Sequence, residues 1–123
     1  MTLLWVTLAG AAGAVARFVV DGAVGHRWAP TFPWATLAIN VSGSLLLGIV
    51  TGAVLFGGAP DLLRAVVGVG LCGGYTTFST ASFETVRLAQ QGRATAALAN
   101  ALGSLLSSAA AAAAGLGAAA AIW

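Results

Sequence analysis

The feature that most constrains this chain is the spacing of its charges. From Trp28 to Pro60, from Ala65 to Phe83 and from Ala94 to Trp123 there is no Asp, Glu, Lys or Arg, and from Leu3 to Val24 there are only Arg17 and Asp21. About 20 apolar residues cross a bilayer as a helix, so each stretch is long enough, or nearly so, to be a membrane span. With 59% hydrophobic and 7% charged residues, the chain lacks the charge that a water-facing surface carries, commonly about 25% of residues. The whole chain, 1–123, reads as one all-α integral membrane domain of four transmembrane helices, with spans near 3–24, 33–56, 62–89 and 94–122.

Turn chemistry separates the runs. Gly25-His26-Arg27 and the prolines at 30 and 33 are expected to end the first span, Gly57-Gly58-Ala59-Pro60 the second and Gln90-Gln91-Gly92-Arg93 the third. Trp5, Trp28, Trp34 and Trp123 fall where interfacial aromatics are favoured. No basic residue precedes the first apolar run, so that run is expected to stay as a span and not to be cleaved as a signal. Glycines such as Gly13, Gly43, Gly48, Gly68 and Gly70 suit close helix approach.

Whole classes of function lack their parts. The net charge of +2 is too small and scattered for nucleic-acid binding. The single cysteine, Cys72, rules out an internal disulfide and reads as a small buried thiol. No His/Asp/Glu cluster has metal spacing, no serine has a partner histidine, and no glycine loop matches a phosphate site. Enzyme chemistry is therefore not expected, and His26 carries no assigned role.

The informative residues are the polar ones inside the spans, where an unsatisfied group is costly. Thr36, Asn40 and Ser44 share one face of the second span. The Asn40 amide can offer two N–H donors to an anion that must shed water, or can simply bond a neighbouring helix. In the third span Gly73-Gly74 is followed by Tyr75-Thr76-Thr77-Phe78-Ser79-Thr80, a poor continuous helix. A mid-membrane break there would free backbone carbonyls, which from two copies could make a hard oxygen cage for a small cation. In the fourth span Asn100, Ser104, Ser107 and Ser108 form a polar stripe, read as a wet or ion-bearing path or as hydroxyls satisfying their own helix. Arg17 can pair with Asp21 or concentrate anions at a pore mouth; Glu84 can pair with Arg87.

The string GGYTTFSTASFE, Gly73 to Glu84, resembles the third-helix signature GGxTTFSTFSxE of the Fluc/CrcB fluoride channels. GAAGAVARF (Gly10 to Phe18), WATLAINVSGSLLLG (Trp34 to Gly48) and NALGSLLSS (Asn100 to Ser108) resemble that family's first-, second- and fourth-helix elements, in order and at the expected spacing. The resemblance implies an antiparallel (inverted) dimer with two pores that lets fluoride leave a bacterial cell passively across the plasma membrane, reducing its toxicity. It implies that Asn40 and Phe78 line the anion path, with Thr77, Ser79, Thr80, Ser104 and Ser108 along it and Arg17 at a vestibule. It further implies that the backbone carbonyls of Gly73 and Thr76 hold a structural Na⁺ that is not transported. Two positions depart from the pattern: Ala81 stands where the second pore phenylalanine falls, and Asn100 replaces a tyrosine. Phe83 is about 200° round the helix from position 81 and cannot substitute.

Arginines are biased. Arg17, Arg27, Arg87 and Arg93 belong to one side and Arg64 to the other, which favours one orientation with both chain ends outside. Two assemblies stay open: a homodimer, or a heterodimer with an oppositely biased homologue. The alternatives to a channel are a small multidrug-resistance-type proton-coupled exporter, whose first span would need an acid that Leu3 to Ala16 lacks, and a non-transporting membrane assembly protein.

Overall fold

The computed structural model describes residues 1–27 and 32–123, the side chains of 25–27 excepted. Trp28, the proline at 30 and the side chains of His26 and Arg27, all considered above, lie outside the described residues.

The described chain is all helix. Helix α1 spans Thr2–Arg27 and α2 spans Trp34–Gly57. Helix α3 covers 61–75, α4 covers Phe78–Gln90 and α5 covers Ala94–Ile122. Among the described residues, α1, α2 and α5 are long and apolar enough to cross a membrane. The remaining crossing is α3 and α4 together, interrupted at Thr76–Thr77. The result is a multi-pass membrane protein whose third span is broken.

The helix ends follow local chemistry. Helix α1 runs through Gly25 and ends at Arg27; one helical glycine costs only about 1 kcal/mol, too little to stop a long helix. Gly58, at φ 69°, ends α2 in the left-handed conformation that glycine alone adopts without steric cost. Its N–H and that of Ala59 both reach the Ala53 carbonyl. Gly92, at φ 75°, closes the α4–α5 connection in the same way.

Helix α3 is unusual in winding. From Arg64 to Cys72 it takes the wide π form, then returns to α-helix for Gly73–Tyr75. Thus the double glycine is itself helical, and the break lies just beyond it, at Thr76 (φ −78°, ψ 159°) and Thr77 (φ −146°, ψ 122°). The β-branched threonines tolerate extended backbone better than helix, and their hydroxyls offer alternative partners to the groups the break exposes.

Backbone-to-backbone packing explains the small residues. A Cβ on Gly74 would collide with the Gly10 carbonyl, and one on Gly13 with the Leu71 carbonyl, so α1 and α3 touch main chain to main chain. Gly48 meets the Ala112 carbonyl and Gly115 the Leu45 carbonyl, which joins α2 to α5 in the same manner. Helix α4 packs on the first part of α5. Ile39, Cys72, Leu88 and Asn100 are buried within this arrangement, whereas most large apolar side chains point outward, as lipid contact requires.

Candidate functional site

The break is held by α2. The Asn40 side-chain amide donates to the Thr77 carbonyl at 2.8 Å, and the Thr77 N–H donates to Asn40 Oδ1 at 2.8 Å. The carboxamide thereby takes the place of a neighbouring peptide, and a buried extended residue gains both main-chain partners. One N–H of the Asn40 amide remains without a partner among the described residues. Three residues further along α2, Gly43 lies beneath the Thr76 methyl and the Tyr75 ring, where a Cβ would collide.

The break also redistributes hydrogen bonds. In a continuous helix the Thr77 N–H would donate to the Gly73 carbonyl and the Thr80 N–H to the Thr76 carbonyl. Instead, Thr77 N–H goes to Asn40, and Thr80 N–H goes to the Thr77 hydroxyl at 3.2 Å, an N-cap bond that starts α4. The Gly73 and Thr76 carbonyls are thus both released from helical pairing among the described residues. The Cys72 carbonyl, by contrast, accepts from both the N–H and the hydroxyl of Thr76, at 2.9 and 2.8 Å.

A cleft of about 280 Å³ opens beside the break, lined by Ala14, Arg17, Phe18 and Asp21 of α1, Thr36 and Ile39 of α2, and Thr77 and Thr80. It joins three residues expected from sequence, Arg17, Thr77 and Thr80. Arg17 Nε is buried there without a hydrogen-bond partner among the described residues. The Arg17–Asp21 pair considered above does not form; the ion pair among the described residues is the exposed Asp61–Arg64 contact at 3.8 Å. Nor does Glu84 pair with Arg87, because its carboxylate accepts from the Thr36 hydroxyl at 2.6 Å, across to α2. A short charge-assisted bond in a half-buried setting competes well against a flexible, exposed arginine.

The other expected residues separate into two groups. Thr77, Ser79 and Thr80 form a hydroxyl cluster at the start of α4, with Thr77 Oγ1 3.1 Å from Thr80 Oγ1 and 3.4 Å from Ser79 Oγ. Phe78 beside them is 87% exposed and faces outward. On α5 the polar stripe turns inward at its first half. Asn100, 2% exposed, donates to Thr85 Oγ1 at 2.8 Å and accepts from Ser104. Ser107 bonds the Gly103 carbonyl of its own helix, while Ser108 has no partner among the described residues.

Sequence reasoning missed three contacts: Thr36 with Glu84, Asn100 with Thr85, and Tyr75 with Ser42 at 3.0 Å. The first was half legible, since Thr36 shares a helix face with Asn40. Ser42 lies off that face, and only the position of the break brings Tyr75 to it.

Residues 4–116 match the sequence-family model described as CrcB-like protein, Camphor Resistance (CrcB). The chain is 52% identical over 103 residues to a protein of Leifsonia xyli named fluoride-specific ion channel FluC 1, covering 84% of this chain and 75% of that one. A protein of the same name from Frankia casuarinae is 44% identical over 128 residues, covering 100% and 99% of the two chains. A fluoride-specific ion channel FluC 2 from Natronomonas pharaonis is 50% identical over 105 residues, covering 85% and 83%. With the match running through the first helix, the clamped break and most of α5, this chain belongs to the CrcB-like family.

Proposed function

We propose that this chain is a subunit of a fluoride-specific channel, conducting the anion passively out of the cell down its electrochemical gradient. The observation that carries the reading is the third span broken at Thr76–Thr77 and clamped by Asn40, beside a cleft that holds Arg17. The names of its relatives and the absence of an acid between Leu3 and Ala16 favour a channel over a proton-coupled exporter.

Fluoride is held tightly by water, so the path must return hydrogen bonds as it removes hydration. Arg17 draws the anion into the cleft. The free N–H of Asn40, the Thr80 and Ser79 hydroxyls and the positive end of the α4 dipole are the donors next in reach. The edge of the Phe78 ring carries partial positive charge and can follow them. Ser104 and Ser108 extend the track along α5. Several weak sites, none a deep trap, let the ion leave.

The assembly in this reading is an antiparallel dimer. Phe78, exposed on the subunit, and the released carbonyls of Gly73 and Thr76 would then face a second subunit instead of lipid. Those carbonyls are a fitting donor set for Na⁺: neutral, hard oxygens that have lost their helical partners. Bound there, Na⁺ would be a fixed structural charge joining two subunits. The Arg17, Arg27, Arg87 and Arg93 bias, with Ala81 and Asn100 at the two departures, favours pairing with an oppositely biased homologue over self-pairing.

Fluoride efflux from liposomes, followed with a fluoride electrode, tests this. Fast flux that follows the imposed potential and needs no proton gradient supports the channel. Flux that appears only with a proton gradient, or none with either this chain alone or its paired homologue, overturns it.

A further inference from the structure

We infer that Tyr75 and Ser42 are a positioning pair that sets the Gly73 carbonyl for its cation. This inference rests on the reading of Gly73 and Thr76 as cation ligands. Tyr75 is the final residue of α3, two positions after Gly73, and its hydroxyl lies 3.0 Å from Ser42 Oγ. Ser42 has a single proton, and its oxygen lies 2.7 Å from the Ala38 carbonyl and 3.1 Å from that of Ile39. That proton therefore points into α2, which fixes the direction of the remaining bond: Tyr75 donates and Ser42 accepts.

The outcome is a directed chain from the Tyr75 hydroxyl through Ser42 to the backbone of α2. It acts on the α2 side of the last turn of α3, whose other side is already packed on α1 through Gly74 and the Gly10 carbonyl. A Cβ built on Gly73 would meet nothing within 4 Å, so that face of the turn is open. The Asn40 clamp grips the chain at Thr77, the second residue of the break. The Tyr75 ring lies over Gly43, and its hydroxyl anchors the near side of the break to the same stretch of α2. Asn40 and Ser42 thus hold the two sides of one interruption, with the Thr76 carbonyl between the held residues and the Gly73 carbonyl in the turn that Tyr75 ends. A ligand carbonyl that is free to rotate must be ordered when the ion binds, which weakens the site; one held beforehand is not.

Tyr75→Phe keeps the ring over Gly43 and removes only the hydroxyl; Ser42→Ala removes its acceptor; Ser42→Thr restores it. The experiment follows thermal unfolding of the purified, assembled protein by tryptophan fluorescence across a Na⁺ titration, with a bulky organic cation holding ionic strength constant. Loss of one such bond is expected to raise the Na⁺ concentration for half-maximal stabilisation about fivefold in Tyr75→Phe and Ser42→Ala. The double variant should shift no further than either single one, and Ser42→Thr should titrate as the unsubstituted protein. A purely structural role would lower the melting temperature equally with and without Na⁺, leaving the midpoint unmoved, and that result overturns the pairing inference alone. If the unsubstituted protein is indifferent to Na⁺, the cation-site reading falls and this inference with it.

Discussion

Asn40 and Thr77 exchange two hydrogen bonds of 2.8 Å, so that one side chain supplies both the donor and the acceptor that the main chain of one residue lacks in the middle of a membrane span. In hydrocarbon such groups have no water to turn to, and a buried polar group left unpaired costs about 1–3 kcal/mol. Asn40→Leu should therefore lower the melting temperature sharply and abolish fluoride flux. Asn40→Asp retains an acceptor for the Thr77 N–H, so it should fold better than the leucine variant yet conduct no better. Wild-type thermal stability in Asn40→Leu would mean that the clamp does not hold the break.

The contact of Gly74 with the Gly10 carbonyl leaves no room for a methyl group. Gly74→Ala forces α1 and α3 apart, and overpacking of this kind costs about 1–3 kcal/mol. Gly103 and Gly117 on α5 have nothing within 4 Å of an added Cβ, so alanine there should be neutral or slightly stabilising. Detergent-solubilised melting curves of the three variants give the comparison, and equal melting temperatures would refute the packing account.

Thr36 and Glu84 link the start of α2 to α4 through a bond of 2.6 Å. Thr36→Val removes the donor and leaves a half-buried carboxylate without its protein partner, a loss of about 1–3 kcal/mol. Glu84→Gln keeps an oxygen acceptor for the hydroxyl and should lose less. Resistance to heat-induced aggregation separates the two. The ranking, Thr36→Val below Glu84→Gln, is the point at risk.

Arg17 lines the cleft without an ion-pair partner among the described residues, which in the proposed channel leaves its charge for a passing anion. Arg17→Gln should slow fluoride entry by about tenfold at low ionic strength, while Arg17→Lys should retain most of the rate. Added inert salt should bring the glutamine variant and the parent together, because screening removes what the charge supplied. A rate difference that persists unchanged in high salt would assign Arg17 a packing role instead.

The sequence was most legible where one physical rule dominates. Spans free of charge declared the helices, and the run of hydroxyl and β-branched residues after Gly73-Gly74 declared a break in the third. The position of that break was less legible, since both glycines turn out to serve helix packing or an open face and not the interruption itself. Partners across helices were the least legible. Glu84 has Arg87 one turn away in the chain, yet its bond is to Thr36, forty-eight positions distant, and no periodicity within one helix reports that choice. Likewise the α5 stripe predicted polar company for Asn100 without naming Thr85 as its partner.

In the proposed dimer, the released carbonyls of Gly73 and Thr76 carry a consequence for the life of a newly made chain. In that assembly a lone copy would leave these peptide oxygens without the partner that covers them, and an unsatisfied group in hydrocarbon costs several kcal/mol. A chain without a mate is accordingly an energetically raised species that membrane proteases can unravel. With the proposed homologue as mate, the steady-state amount of either chain should then track synthesis of the other.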